Sequence, residues 1–321
     1  MSAPLVSKEV HRMWVYAGRR LLLAIPVLIG VTFVTFVLLN VVPGDPVAIM
    51  LQKRADPETL ASVKRQLGLD RPWYVQYGSF LLGAIKGDLG KSFFTKIDVA
   101  SELWVKFKTT LKLALASYLV AVVIGMTAGI AAAVNQNTPI DTGAMVLAMV
   151  GVSAPVFWIA ILLQILFGLY LGWLPISGHA SWASFILPGI ALGTRFAASI
   201  ARITRTSMLE VIRQDYIRTA AAKGLTHRVI IFKHALKNAL IPVITLAGMQ
   251  IGSLLGGSML VETVFGIPGL GRYYIEALTK RDFPVVQGMV LFTAVVFVAA
   301  NLIVDLSYGF IDPRIRYQGR R

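Results

Sequence analysis

The sequence predicts an all-α integral membrane protein with about six transmembrane helices. Three observations carry this expectation. Of the 321 residues, 56% are hydrophobic and only 15% charged, where a soluble domain carries about 25% charged. Mean hydropathy is +0.70. The apolar residues gather in blocks near 21–42, 111–134, 144–172, 184–204, 239–262 and 285–308, each about the ~20 residues that a helix needs to cross the hydrocarbon.

The net charge of +15 collects in the segments between those blocks and sets an orientation. With six spans and both termini in the cytoplasm, Lys8, Arg12, Arg19 and Arg20 lie inside. So do the basic residues from Arg195 through Lys237 and the tail residues Arg314, Arg316, Arg320 and Arg321. The short outer loops then keep Arg272, Lys280 and Arg281, which follows the positive-inside rule. The 44–110 segment carries Lys and Arg outside, but it exceeds the roughly 60 residues over which that rule acts. The 135–143 loop has no basic residue, so the orientation rests on the other inner segments. No basic stripe interleaves with aromatics, so a nucleic-acid partner is not expected. The absence of cysteine excludes disulfides, thiolate metal sites and iron–sulfur clusters.

Taken in order, residues 1–18 read as a polar cytoplasmic lead and 19–321 as a single membrane domain. The first span follows Arg19-Arg20 and lacks an A-x-A cleavage site, so it reads as a retained helix rather than a signal peptide. The 44–110 insert lies outside the membrane and opens on the turn Val42-Pro43-Gly44-Asp45-Pro46. Asp56-Pro57-Glu58-Thr59 starts a helix running to about Leu67, which Gly68, Asp70 and Pro72 end. An amphipathic piece from Trp73 to about Ile85 places Trp73, Tyr74, Tyr77 and Phe80 at the membrane interface. In the later spans, Gly125 and Gly129, Gly168 and Gly172, and Gly252 and Gly256 show the spacing of close helix packing, within the chain or against a second membrane subunit. Pro26, Pro155, Pro188 and Pro242 fall in or at the ends of spans, where proline kinks a helix and frees carbonyls that can line a cavity. Ser153 and Pro155 are therefore candidate lining residues of such a cavity.

Catalytic and nucleotide-binding motifs are missing. Gly87-Asp-Leu-Gly90-Lys91-Ser92 ends like a P-loop, but Ile85 stands where the first glycine should be. Gly266-Ile-Pro-Gly269-Leu-Gly271 inverts the dinucleotide spacing. His11, His179, His227 and His234 all lie away from mid-span, and His227 and His234, seven apart on one predicted helix face, read as structural rather than metal-binding. Asp305 is the acid in the last span, near its cytoplasmic end, and reads as a partner of Arg314 or Arg316. Arg195 lies about halfway along the fourth span, where it either snorkels to the cytoplasm or faces a cavity and meets a substrate carboxylate.

The stretch from Asp215 to Pro242 is polar and basic, yet reads as two capped helices. Asp215 is placed to N-cap the first, Lys223 closes its last turn, and Gly224 supplies the left-handed C-cap position. Thr226 can cap a second helix toward Pro242. Ala220-Ala221-Ala222 leaves part of the first helix almost bare, as a surface on which another protein sits would be.

These residues carry a resemblance. Gly18-Arg-Arg-Leu, Pro43-Gly-Asp-Pro46, Gly87-Asp-Leu-Gly90, Ser207-Met-Leu-Glu-Val211, Asp215-Tyr-Ile-Arg-Thr-Ala220, Ala222-Lys-Gly224 and His234-Ala-Leu-Lys-Asn-Ala239 match one family nearly end to end. Pro268-Gly-Leu-Gly271, Arg281-Asp-Phe-Pro-Val-Val-Gln-Gly288, Val304-Asp-Leu306 and Asp312-Pro-Arg-Ile-Arg316 complete the match. The chain resembles the inner-membrane permease subunits of ABC importers for dipeptides, oligopeptides and nickel, most like the dipeptide permease B branch. The resemblance implies the type I ABC importer permease fold, with a helical extracytoplasmic insert between the first two spans. It identifies the Asp215 stretch, within a cytoplasmic coupling loop at 205–238, as the element whose short helix docks in a groove of an ATPase. Asp215, Tyr216, Arg218, Thr219, Ala220 and Gly224 are the coupling residues so implied. Arg218 holds the Glu position of the superfamily's EAA motif, Thr219 and Ala220 its two Ala positions. His234, Leu236 and Lys237 replace its I-x-L-P.

The implied function is half of a translocation path for dipeptides or short oligopeptides in the bacterial inner membrane, with no bond chemistry and no cofactor on this chain. The implied partners are a second related permease, two ATP-binding subunits holding ATP and Mg, a soluble or lipid-anchored substrate-binding protein, and membrane lipid. Nickel, glutathione or another small solute is the alternative cargo. A secondary carrier would need intramembrane acids, and a membrane enzyme a nucleophile–base pair; the spans offer neither pattern.

Overall fold

In a computed structural model, residues 3–41, 44–51, 56–256 and 258–311 are described, with backbone alone at 3–16 and 307–311. The described residues are helical, joined by turns and one isolated bridge between Lys91 and Asp98. Five helical stretches are long and apolar enough to cross a membrane: 17–41, 99–134, 182–212, 227–255 and 283–306. A sixth is made of two shorter helices, Pro139–Ser153 and Val156–Tyr170, bent by 105° where they meet. The third apolar block is thus broken rather than straight. Proline 155 has no N–H to give the carbonyl of Gly151, and the backbone turns there.

Contacts group the described residues into two compact units, Met1–Thr110 with Pro268–Ala299, and Leu111–Ile267 with Ala300–Arg321. In the first, α1 (Ala3–Val41) runs unbroken from the polar lead through the first span. Then come α2 (Pro46–Met50), α3 (Pro57–Gln66) and α4 (Trp73–Ile85). Helix boundaries here follow local chemistry. Asp56 caps α3 through Thr59 N–H at 2.7 Å, with proline at the first helical position. Asp45 caps α2 through Val47 N–H at 3.0 Å and pairs with Lys64 at 2.6 Å. Burial alone would raise the Asp45 pKa; the Lys64 ammonium and the amides of Val47 and Ala48 outweigh it and hold the carboxylate below its ordinary range. The interfacial aromatics of α4 lie on α1. Tyr77 donates to the Ile29 carbonyl at 2.9 Å and its ring meets Phe33 and Phe36.

The same unit contains α13 (Leu270–Lys280) and the first part of α14 (Phe283–Ile311). Between them Arg281 takes a left-handed φ of 56°, and its guanidinium donates to the Gly44 carbonyl at 3.0 Å. Asp282 is 4% exposed and accepts from the Ser92 hydroxyl and from Phe93 N–H at 3.0 Å. A hydrophobic core of Leu89, Val99, Leu103, Leu270, Val285 and Val286 lies beside this clamp. The first glycine of Gly266-Ile-Pro-Gly269-Leu-Gly271 is a left-handed turn and the second caps α13, whose Leu270 N–H is taken by Thr110 Oγ1 at 2.8 Å.

The second unit is built on α5 (Val99–Val134) and α8 (Ile186–Ile212), the first of which enters it from residue 111. These helices run parallel and close-packed through glycine on both. A Cβ on Gly193 would stand 2.6 Å from the Ser117 carbonyl, one on Gly125 2.7 Å from that of Ala197, and one on Gly129 2.6 Å from that of Ala201. The Gly125–Gly129 spacing therefore serves packing within the chain. Gly129→Val is expected to force the helices apart and cost about 1–3 kcal/mol, read as a lowered melting temperature of the detergent-solubilised protein. An unchanged transition would show that the helices are less tightly apposed.

Helices α6 (Pro139–Ser153) and α7 (Val156–Leu163) pack on α8, and a π-helical segment, Gln164–Tyr170, ends the broken span. After α9 (Asp215–Ala222), the chain rises through α10 (His227–Val229), a π-helical segment Ile230–Ala235 and α11 (Leu236–Leu255) as one continuous rod. The π turns widen the coil, so the seven-residue spacing of His227 and His234 does not return to one face as an α-helix would. Pro242 lies inside α11 rather than at the helix end. Helix α12 (Met259–Val264) completes the unit. Residues 314 and 316, the expected partners of Asp305, lie outside the described residues.

Candidate functional site

The short helix α9 lies between two long ones and is locked to them from below. Ile217 and Ala220 are 5% and 7% exposed and join Ala133, Met208, Ile230, Ile231, Ala235 and Ala239 in one core. Their i, i+3 spacing gives α9 a single inward stripe. Tyr216 adds a polar tie, its hydroxyl accepting from Asn238 Nδ2 at 2.7 Å, so α9 and the lower part of α11 are joined.

The ends of α9 are set by backbone geometry. Gln214, with extended φ −73° and ψ 148°, occupies the N-cap, so Asp215 is the first helical residue and makes no capping bond. The cap assigned to Asp215 from sequence is corrected by one position. As the acid of the first turn, Asp215 still favours the helix N-terminus electrostatically. At the other end Gly224 N–H donates to the Ala221 carbonyl at 3.0 Å and Leu225 N–H to that of Ala220 at 3.4 Å, a Schellman pair around Gly224 at φ +77°. Thr226 stands at the N-cap of α10, without a side-chain bond.

The six coupling residues inferred from the resemblance divide accordingly. Asp215, Arg218, Thr219 and Gly224 are exposed; Asp215 and Arg218 are 3.7 Å apart, and the Thr219 hydroxyl donates to the Asp215 carbonyl at 3.0 Å. Tyr216 is exposed at its ring and tied at its hydroxyl. Ala220 is buried within the chain, so it positions the helix and offers no free surface. The bare outer face is instead Ala221 and Ala222, followed by Leu225.

One feature of the neighbourhood has no counterpart in the sequence reading. Asp141 at the start of α6 has a side chain only 6% exposed and takes a two-pronged bond from Arg205 of α8, Nε to Oδ1 at 2.6 Å and Nη2 to Oδ2 at 2.7 Å. Asn137 N–H donates to the same carboxylate at 3.0 Å. The pair fastens α6 to α8 two turns before α8 ends at the coupling turn. The two residues stand 64 apart in sequence, and only an acid in an otherwise base-free loop hinted at them.

Higher in the unit, Ser153 and Pro155 flank the break in the third span and are exposed, as is Arg195. The structure brings these segments together. A Cβ on Gly151 would sit 3.4 Å from the carbonyl of Thr194, the residue before Arg195. In α11, Gln250 is 9% exposed and its Oε1 makes no hydrogen bond among the described residues. No group of three His, Cys, Asp or Glu side chains able to hold a metal occurs among the described residues.

Comparison with known proteins covers most of the chain. The family model described as "Binding-protein-dependent transport system inner membrane component" matches residues 125–317, and its N-terminal companion matches residues 13–114. The chain is 47% identical over 333 aligned positions to the dipeptide transport system permease protein DppB of Alkalihalophilus pseudofirmus, covering 95% of this chain and 100% of that one. It is 42% identical to the di/tripeptide transport system permease protein DppB of Pseudomonas aeruginosa, covering 94% and 99%. It is 43% identical to the glutathione transport system permease protein GsiC of Salmonella choleraesuis, again covering 94% and 99%. Among solved structures, an inward-facing MetNI methionine ABC transporter superposes with TM-score 0.57 at 19% identity, over 66% of this chain and 96% of that one.

Proposed function

Because the chain belongs to the binding-protein-dependent transport system inner membrane component family, we propose that it forms half of an ATP-driven import path for dipeptides or short oligopeptides. It is a multi-pass permease subunit of the ABC importer type and not an enzyme. The observation that carries the peptide reading is end-to-end identity of 42–47% to permeases named for dipeptides and di/tripeptides. Glutathione, itself a tripeptide, is the second reading, favoured by 43% identity to a permease named for it.

In this reading the protein sits in the bacterial cytoplasmic membrane with both termini inside, the 44–110 insert outside and the 205–238 loop facing the cytoplasm. Its partners are a second, related permease, two subunits that bind ATP and Mg, a soluble or lipid-anchored substrate-binding protein, and membrane lipid. Closure of the ATPase pair on ATP draws the coupling helices together. Displacement of α9 then carries α8 and α11 with it, because Ile217, Ala220 and the Tyr216–Asn238 bond leave it no independent slack. Ser153, Pro155 and Arg195 line the path, with Arg195 facing the substrate carboxylate.

The test is uptake of labelled dipeptide into proteoliposomes containing the full complex. Accumulation that requires ATP, the binding protein and this chain is expected, with a several-fold loss in Arg195→Ala. Uptake without the ATPase subunits, or accumulation of a nickel chelate and no peptide, would contradict the reading.

A further inference from the structure

Parts of three motifs that coupling leaves unused, Gly44–Pro46, Gly87–Gly90 and Arg281–Gly288, come together in the first unit. Arg281 bonds Gly44, Asp282 clamps Ser92 and Phe93, and Gly288 backs closely on Val99 and Leu89. Residues next to the clamp, among them Phe93, Phe283 and Gln287, line an open cavity of about 330 Å³, at the small end of the usual ligand range of roughly 300–1,000 Å³. Its apolar wall is aromatic, made of Phe36, Phe80, Phe93 and Phe283.

The polar groups on the same cavity are arranged as for a ligand of mixed charge. Arg71 and Lys91 line it, and neither side chain makes a hydrogen bond or ion pair among the described residues. Gln287 also lines it and is 7% exposed. Asp88, an exposed residue, completes the wall; its Oδ1 accepts from Gly90 N–H at 2.8 Å. Gln76 Nε2 donates to the Arg71 carbonyl at 2.7 Å and fixes the loop that carries the cation.

We propose that this cavity is a binding site for a short peptide. Arg71 and Lys91 take its carboxylate, Gln287 its amide, Asp88 its ammonium, and the aromatic wall an apolar side chain. The choice of a peptide over another amphiphilic carboxylate rests on the transport reading. The site shares no lining residue with Ser153, Pro155 and Arg195, and lies in the part of the chain assigned to the outer face.

Equilibrium dialysis of labelled Ala-Phe against the purified complex, without its substrate-binding protein, tests the site. Saturable binding is expected. Arg71→Gln or Lys91→Gln should each weaken it about tenfold, and so should amidation of the peptide C-terminus, one lost charge contact in each case. Amidation is read on the wild-type protein and on Arg195→Ala, where it should weaken binding to the same extent because Arg195 does not line this cavity. No saturable binding, binding that neither substitution alters, or an amidation effect that vanishes in Arg195→Ala would overturn the proposal. Uptake by the same preparation is scored separately: transport without binding at this cavity sinks the inference and leaves the transport reading intact.

Discussion

Ala221→Trp or Ala222→Trp is expected to reduce peptide uptake by about 10–100-fold while leaving membrane insertion and the fold unchanged. Both side chains are on the exposed face of α9, so an indole there meets nothing in this chain. On the proposed docking it meets the ATPase groove instead, where bulk on a close-approach surface would cost about 1.4–2.8 kcal/mol for that loss. The measurements are co-purification of the ATPase subunits and ATP-dependent uptake. Full co-purification with wild-type uptake would show that this face is not a docking surface. Ala220→Trp, one residue earlier, is a different experiment. Ala220 is buried against Met208 and Ile230, so a tryptophan there disrupts the permease itself and says nothing about docking.

The second large effect lies beneath the coupling helix. Asp141→Ala leaves the Arg205 guanidinium facing a site built for a carboxylate. Removing one member of a buried pair costs about 3–5 kcal/mol. Because Arg205 keeps 25% of its side-chain surface exposed, about 2–3 kcal/mol is expected here. This should appear as a fall of several degrees in the melting temperature in detergent. The double variant Asp141→Ala with Arg205→Leu should recover most of the loss, since no charge is then stranded. If Asp141→Ala melts with the wild type, or the double variant falls further, the pair is not what holds α6 to α8.

The spans were legible because hydropathy reports burial in lipid directly, residue by residue. The 105° break was not, because Val150–Leu163 is equally apolar on both sides of it and Pro155 reads alike as a kink or an end. Helix ends were legible where one residue decides them. Asp56 and Gly224 act through a side-chain oxygen and a positive φ that few others supply. Gln214 was missed since its backbone, not its side chain, makes the cap. The Asp215–Gly224 stretch read from the sequence as a capped helix, but its faces were not sorted; the Ile217–Ala220 spacing was the available signal for the buried side. The Asp141–Arg205 pair and the bonds from Arg281 and Asp282 to Gly44, Ser92 and Phe93 depend on long-range packing, which a single sequence does not display.

The central claim, that α9 is the surface on which an ATPase sits, has a direct measurement. The chain has no cysteine, so Ala222→Cys is the single thiol of this subunit. Paired with cysteines placed along the groove of the ATPase subunit, it should form a cross-link in the assembled complex and be shielded there from a membrane-impermeant maleimide. The same thiol should react freely once the ATPase is stripped away. Equal labelling in both preparations, with no cross-link to any groove position, would contradict the account.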